Sequence, residues 1–284
     1  MTRVVPAPST DALIGPVAAP DVHVMTFNIR RAGDGMLHRR ADRWSWREPA
    51  VRDLLAAERP TLLGLQEALP RVMASVLDAV GAGHRAIGTG RGADGRGEGT
   101  PIVFDPARLE LRDWDQCALS DEPDRPGSTG WGNLIPRIVV WAEFAERTTR
   151  ARFLAVNTHF DHLSSRSRLR SAISMRRLVS ERGLPAVVMG DLNARAGSPA
   201  VRALHEHGSL VDSWDTAIER RGARWGTYPG YRAPRIGGRV LDRILTTPGV
   251  QTRAAAVNTA APGGRRPSDH LPVQAVLRFG EERA

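Results

Sequence analysis

The chain contains no lysine, so all 40 positive charges among its 284 residues are arginine. The glycine-rich stretch 88–99 therefore cannot end in the Gly-Lys-Ser/Thr of a nucleotide-binding loop, and it reads as a flexible turn. Cysteine is nearly absent too: Cys117 stands alone, which excludes an intrachain disulfide and a cysteine-based metal site. Its neighbours do not suggest a nucleophile, and it reads as a half-buried strand residue. No stretch of 18 apolar residues occurs, so no membrane span is expected. The first 20 residues hold Pro6, Pro8, Asp11, Pro16 and Pro20 and lack the basic start and unbroken apolar run of a signal peptide. These features lead us to expect a cytoplasmic protein with an irregular N-terminal arm over residues 1–20. No internal repeat and no compositional break marks a second domain.

The formal net charge is +9 and the pI about 11.2. Such a balance invites a phosphate-rich partner, nucleic acid included. A lysine-free chain rich in Arg, Ala and Gly is equally what a GC-rich genome produces. The arginines fall in scattered pairs such as Arg39-Arg40, Arg176-Arg177, Arg220-Arg221 and Arg265-Arg266, so charge alone selects neither reading.

Patterning predicts strands over residues 22–29, 61–65, 101–104, 109–117, 137–144, 153–159, 186–189, 240–246, 250–257 and 272–279. It predicts helices over 48–59, with Pro49 in the first turn where its missing N–H costs little, and over 71–80 and 164–181. A further helix runs from the N-cap Ser198 to about His207. Strands alternate with helices early and cluster late. The order implies an α/β (α+β) layered fold with mixed sheets and helices outside.

One chemical pattern recurs. Buried apolar strands end in a hard oxygen ligand or an imidazole: Asn28 after Met25-Thr26-Phe27, Gln66-Glu67 after Leu63-Gly64-Leu65, and Asn157-Thr158-His159 after Ala155-Val156. Asp191 and Asn193 follow Val187-Val188-Met189, Asp242 follows Val240-Leu241, and Asp269-His270 follow Pro267-Ser268. Carboxylates and carboxamides suit Mg²⁺ or Mn²⁺ rather than zinc. A cation held this way polarises a phosphoryl oxygen, and a histidine oriented by an aspartate can move the proton of water. Taken singly, each piece is equally an ordinary turn, cap or structural histidine.

Taken as an ordered set, the motifs resemble the endonuclease/exonuclease/phosphatase family. They are TFN at Thr26–Asn28, GLQE at Gly64–Glu67, NTHFDH at Asn157–His162, GDLN at Gly190–Asn193, RVLDRIL at Arg239–Leu245 and SDHLPV at Ser268–Val273. The match covers roughly residues 22 to 279. The resemblance implies a four-layer sandwich, two packed mixed β-sheets flanked by helices, in one catalytic domain over residues 21–284. It implies Glu67 as principal ligand of Mg²⁺ or Mn²⁺, supported by Asn28 and Asp269. Asp191 and Asn193 would hold the attacking water, the phosphate or a second metal. His270, oriented by Asp242, would be general base or phosphate stabiliser. His159 would be a second imidazole on the phosphate or leaving group, paired with Glu98. Arg137 matches a phosphate-contacting arginine in some members, or is an exposed charge at a strand start.

His159 stands where the abasic-site endonucleases carry tyrosine, which points away from that branch; Leu192 in GDLN replaces a common Phe. His162 lines the site beside His159 or lies on the surface. Trp44 and Trp46 read as packing residues. Trp131, Tyr228 and Tyr231 are placed by the fold near the site mouth, stacking on a substrate ring or capping the core rim. The expected activity is metal-dependent hydrolysis of a phosphate ester, by a phosphodiesterase or phosphatase. The rivals are a nuclease for DNA or RNA and a non-catalytic binding protein. A small-molecule enzyme should show a closed pocket roofed by loops 120–132 and 226–238. No obligate protein partner is evident.

Overall fold

The computed structural model describes residues 11–35 and 39–280; the first ten residues of the expected arm lie outside them. Among the described residues thirteen strands and five α-helices follow in the order β1 (Val22–Asn28), α1 (Trp44–Glu58), β2 (Leu62–Gln66), α2 (Pro70–Val80), β3 (Arg85–Ile87), β4 (Ile102–Phe104), β5 (Leu109–Ala118), β6 (Ile138–Glu146) and β7 (Arg152–His159). Then come α3 (Ser165–Arg182), β8 (Ala186–Asp191), α4 (Pro199–His205), β9 (Val211–Asp212), α5 (Ser213–Thr216), β10 (Glu219–Arg221), β11 (Asp242–Thr246), β12 (Gln251–Val257) and β13 (Val273–Arg278). No described helix is long and apolar enough to cross a membrane.

Alternation along the strands builds the layers. Val22, Val24 and Leu62 of one sheet meet Val140, Phe144, Phe153, Val187 and Ile244 of the other in a core between the sheets. The opposite face of the first sheet, Met25, Phe27, Leu63 and Leu65, packs on Val51, Leu54 and Leu55 of α1 and Val72, Val76 and Val80 of α2. Val139, Trp141, Val156 and Val188 of the second sheet pack on Ala172, Met175 and Val179 of α3 and Leu204 of α4. Because both faces of these strands are buried, they read as near-continuous apolar runs. The result is the expected four-layer sandwich. One sheet has seven strands in the order β10-β12-β13-β1-β2-β4-β3, the other six in the order β5-β6-β7-β8-β11-β9. Both are mixed, since β1 and β2, and β7 and β8, pair in parallel among antiparallel neighbours.

Three departures from the sequence reading have local causes. Helix α1 begins at Trp44, so Pro49 is its sixth residue and not in its first turn. The extra turn is held from outside: the Trp44 N–H donates to Gly33 O and the Ser45 N–H to the Asp34 carboxylate. Those bonds offset the intrahelical bond that proline cannot make. The short strands β3, β9 and β10 arise from edge pairing rather than from apolar alternation. Residues 88–99 are a defined turn, crossed by Gly90 N–H to Gly95 O and Gly92 N–H to Arg96 O. Cys117 is half-buried on β5, as expected. Trp44 is buried in the core and Trp46 is packed between the guanidiniums of Arg40 and Arg265.

The described part of the N-terminal arm, residues 11–20, contains no helix or strand but is tied down. The backbone N–H groups of Leu13, Ile14 and Gly15 all donate to the buried Glu58 carboxylate.

Candidate active site

Strand register gathers the polar residues at one end of both sheets. Asn28 lies opposite Gln66 across the parallel β1–β2 pair. His159 lies opposite Asp191 across the parallel β7–β8 pair, and Asp191 opposite Asp242 across the antiparallel β8–β11 pair. Beneath them Asn157 stitches the two sheets together. Its amide nitrogen donates to the carbonyls of Leu65, Thr100 and Pro101, and its oxygen accepts from Gln66 Nε2 at 2.7 Å.

The end of each strand is shaped to aim its side chain. Glu67 and Asn193 have left-handed backbones, φ 58° and 46°, a conformation uncommon outside glycine and found at functional sites. Gly190 precedes Asp191 with φ 149°, where any Cβ would collide with the Thr158 carbonyl. An open cleft of about 870 Å³ lies over this end of the molecule. Its lining includes Glu67, Glu98, Arg137, His159, His162, Asp191, Asn193, Asp269 and His270.

Two buried carboxylates are bridged by one amide. Asn28 Nδ2 donates to Glu67 Oε1 at 3.1 Å and to Asp191 Oδ2 at 3.0 Å, while its Oδ1 accepts the Arg30 N–H. Asn28 therefore turns its nitrogen, not its ligand oxygen, toward the carboxylates. In this arrangement it bridges Glu67 and Asp191 and fixes their spacing. Burial alone would raise the Glu67 carboxyl. The neighbouring His159, the Arg31 N–H at 2.7 Å, the Asn28 amide and Arg30 reverse that and hold it at about 2. Asp269 is buried against little compensation, with Arg30 Nε 3.9 Å away, and burial pushes its carboxyl up.

The two imidazoles differ. His270 Nδ1 lies 2.9 Å from Asp242 Oδ2, and Tyr228 leans on its ring at a centroid distance of 4.7 Å. Burial works against charge on His270, but Asp242, Asp191 and Asp269 outweigh it and raise its pKa to about 10. Burial dominates at His159 and, against the pull of Asp191, lowers its pKa to about 4. A neutral ring agrees with its bonding, because His159 Nε2 is the acceptor for Asn193 Nδ2 at 3.1 Å.

Other expected residues are placed differently. Glu98 lines the cleft, but its carboxylate pairs with Arg91 at 2.7 Å and Arg31 at 3.5 Å rather than with His159. The two arginines take the negative charge that a histidine partner would have shared. Arg137 is buried rather than an exposed strand-start charge. Its Nε donates to Asp161 at 3.3 Å, its Nη2 lies 2.9 Å from His162 Nδ1, and its buried Nη1 has no partner. His162 is exposed and lines the cleft beside Arg137. Of the three aromatics expected at the mouth only Tyr228 lines it. Trp131 donates to Asp121, and Tyr231 to Asp42 at the rim. The cleft is not a closed pocket, and no residue of loop 120–132 lines it. Sequence reasoning also missed Arg30, Arg31 and Arg91, which supply the positive charge around Glu67 and Glu98; no strand-end pattern marks them.

A model of the endonuclease/exonuclease/phosphatase family matches residues 25–270, all but the ends of the chain. The chain belongs to the endonuclease/exonuclease/phosphatase family. Members of that family are phosphoester hydrolases. Among solved structures, a family protein from Bacteroides thetaiotaomicron superposes with a TM-score of 0.85 at 28% identity, over 93% of this chain and 96% of that one. The mannosyl-6-phosphatase of the same bacterium gives 0.83 at 28% identity, over 91% and 100%. The human Nocturnin catalytic domain, solved with bound sulfate, gives 0.72 at 18% identity, over 92% and 95%, and shares the fold. No curated protein matches the chain in sequence.

Proposed function

We propose that the chain is a divalent-cation-dependent hydrolase of phosphate esters, with water as nucleophile. The observation that carries this reading is the meeting of Glu67, Asp191, Asp269, neutral His159 and the Asp242–His270 pair in one cleft. The similarity to a mannosyl-6-phosphatase along its whole length supports a phosphate ester of a small hydroxylated molecule as substrate.

The donor set fits a hard cation. Glu67, Asp269 and Asp191 offer buried carboxylate oxygens, the ligands that Mg²⁺ and Mn²⁺ prefer, and would hold such an ion. Asp191, Asp242 and His270 also bring ligand atoms within 4.8 Å of one another. There, however, His270 Nδ1 and Asp242 are already bound to each other, so that group serves better as an oriented imidazole. When bound, the cation would neutralise charge on the phosphoryl oxygens.

The chain's own residues supply the rest. Asp191 Oδ2 and the Asn193 oxygen hold and orient the attacking water. His270 presents Nε2 to the phosphate, with Asp242 fixing its tautomer and balancing its charge. His159, neutral, accepts or returns a proton at Nε2 once the Asn193 amide yields. Arg137 Nη1, buried and unpartnered, donates to a nonbridging oxygen. Such fixed donors, aimed where charge develops, usually make the largest catalytic contribution.

The test is hydrolysis of p-nitrophenyl phosphate and bis-p-nitrophenyl phosphate with Mg²⁺, Mn²⁺ or EDTA, beside Glu67→Ala. Metal-dependent turnover lost in the variant is the expected result. The preferred ester distinguishes a phosphatase from a phosphodiesterase. Absence of turnover on both esters and on single-stranded RNA and DNA would overturn the hydrolase reading in favour of a binding protein.

A further inference from the structure

Arg30 stands between the carboxylates of the cleft and its rim. Its backbone is left-handed, with φ 60°, and is held at both ends. The N–H donates to Asn28 Oδ1 at 3.0 Å, and the carbonyl accepts Arg47 Nη2 at 3.2 Å. The side chain is held as well. Nε donates to Asp42 Oδ1 at 2.9 Å and Nη2 to Asp42 Oδ2 at 3.3 Å, the two-point fork of a guanidinium on a carboxylate. Tyr231, in the loop after β10, donates its hydroxyl to the same Asp42 Oδ1 at 3.0 Å.

On its other side the guanidinium faces two of the carboxylates that would hold a cation. Nη1 lies 3.8 Å from Glu67 Oε2, and Nε lies 3.9 Å from Asp269 Oδ2. Those separations are too long for hydrogen bonds. Arg30 therefore acts on both oxygens by charge alone and leaves their lone pairs available to a ligand. The two carboxylate side chains are only 13% and 10% exposed, so salt screens the interaction weakly. The other groups facing them are the Arg31 N–H, the Asn28 amide and His159 at Glu67, and Ser268 Oγ and His270 at Asp269. A guanidinium in a protein stays charged, and the fork on Asp42 keeps this one from swinging clear. A divalent cation taken up by Glu67 and Asp269 meets a fixed positive charge beside them.

We propose that Arg30 is a resident counter-charge of the cation site: it balances Glu67 and Asp269 in the cation-free protein and weakens their hold on a divalent cation, with Asp42 offsetting part of its charge. The two carboxylates are then kept at their spacing before the cation arrives, and the cation stays exchangeable. The inference rests on the proposed hydrolase reading for the identity of the cation ligands, not for the position of Arg30.

The experiment measures Mn²⁺ binding by titration calorimetry, and thermal unfolding in EDTA and in Mn²⁺. The proteins are wild type, R30Q, the charge-preserving R30K, D42N and the ligand control E67A. R30Q should bind Mn²⁺ on the order of 10-fold tighter than wild type, because a unit charge beside the ligands is gone. It should unfold at a lower temperature than wild type in EDTA and gain more from Mn²⁺, since stabilisation by a ligand follows its affinity. R30K should stay near wild type. D42N, which removes the charge that offsets Arg30, should bind Mn²⁺ several-fold more weakly. An Arg30 that merely props up its loop would also lower the unfolding temperature of R30Q in EDTA, but would leave Mn²⁺ affinity equal or weaker. That result, or an R30K that binds as tightly as R30Q, would overturn the counter-charge. Where R30Q does not fold in EDTA, D42N decides, and affinity equal to or tighter than wild type overturns it. Equal Mn²⁺ binding by wild type and R30Q that E67A abolishes removes the counter-charge and keeps the cation site. Mn²⁺ binding by none of the proteins removes both.

Discussion

His159 and His270 approach the same oxygen, Asp191 Oδ2, at 3.5 and 3.7 Å, and their surroundings drive them to opposite protonation states. His159 is enclosed with its Nε2 taken up by the Asn193 amide, so burial keeps it neutral. His270 is enclosed just as fully, but Asp242 grips its Nδ1, and three carboxylates outweigh burial. Two chemically identical rings around one carboxylate thus favour opposite charge states, neutral at His159 and cationic at His270. Separating the pKa values of paired groups in this way is how a single site carries both acid and base functions.

Asp242→Asn tests that division. The backbone of Asp242 is held by Thr227 Oγ1 through the N–H groups of Leu241 and Asp242, so the fold should survive. The amide can no longer balance the His270 charge, and its nitrogen can face Nδ1. We expect kcat to fall roughly 10²–10⁴-fold, with KM changing much less. Unaltered kcat in a folded variant would show that the pair is structural.

Much of this was legible because the polar side chains of the cleft sit at the ends of apolar runs. Asn28, Glu67, His159 and Asp191 each close a buried stretch, and the parallel register brings those ends together. What was not legible depends on distant partners. Nothing near Glu98 says that Arg31, 67 positions earlier in the chain, shares its charge with Arg91. The start of α1 is decided by Gly33 and Asp34 in a preceding loop rather than by Pro49. Gln66 and Asn157 were visible as polar residues near strand ends, but their bond across the two sheets exists only once the sandwich closes. The edge strand β10, Glu219–Arg221, has no apolar alternation to announce it.

Arg47 is a fully buried charge that supports the site without lining it. Its guanidinium donates to the carbonyls of Asp42, Ile29, Arg30, Arg31 and Pro267. The loop after Asn28 is thereby clamped to the loop that carries Asp269 and His270. Arg47→Met should strand those carbonyls and cost on the order of 3 kcal/mol in urea unfolding. It should also lower kcat, because both loops lose their common anchor. Arg47→Met with wild-type stability would show that the clamp is redundant.

Gly64 sits on β2 facing Asn157 and Met189 of the other sheet. A Cβ there would lie 2.8 Å from Asn157 Cγ and Oδ1 and 2.9 Å from Met189 Sδ. The methionine can swing aside. Asn157 cannot, because its amide is committed to three carbonyls and Gln66. Gly64→Ala should therefore destabilise by about 2–3 kcal/mol through overpacking and a broken network. Combining it with Asn157→Ala should cost less than the sum of the two single changes, since the second removes the obstacle that the first meets. Strict additivity in a double-mutant cycle would sink the steric explanation.

The last prediction concerns acid stability and a histidine far from the chemistry. His23 on β1 is fully buried, and its Nε2 accepts the Gln274 amide, which also donates to Glu58. Burial, against the pull of Glu58, lowers its pKa from 6.5 to about 4. Between those values the unfolded chain takes up a proton that the folded chain refuses. The stability contributed by this residue should therefore be complete above pH 6.5 and be lost, by a few kcal/mol, as the pH falls toward 4. His159, held low for a similar reason, adds to the same slope. His23→Leu removes one contribution to that slope while leaving the opposing one of His270, so urea unfolding midpoints measured from pH 7.5 down to 4.5 should fall less steeply in the variant than in wild type. Parallel profiles would mean that His23 does not resist protonation, and that the acid sensitivity arises elsewhere.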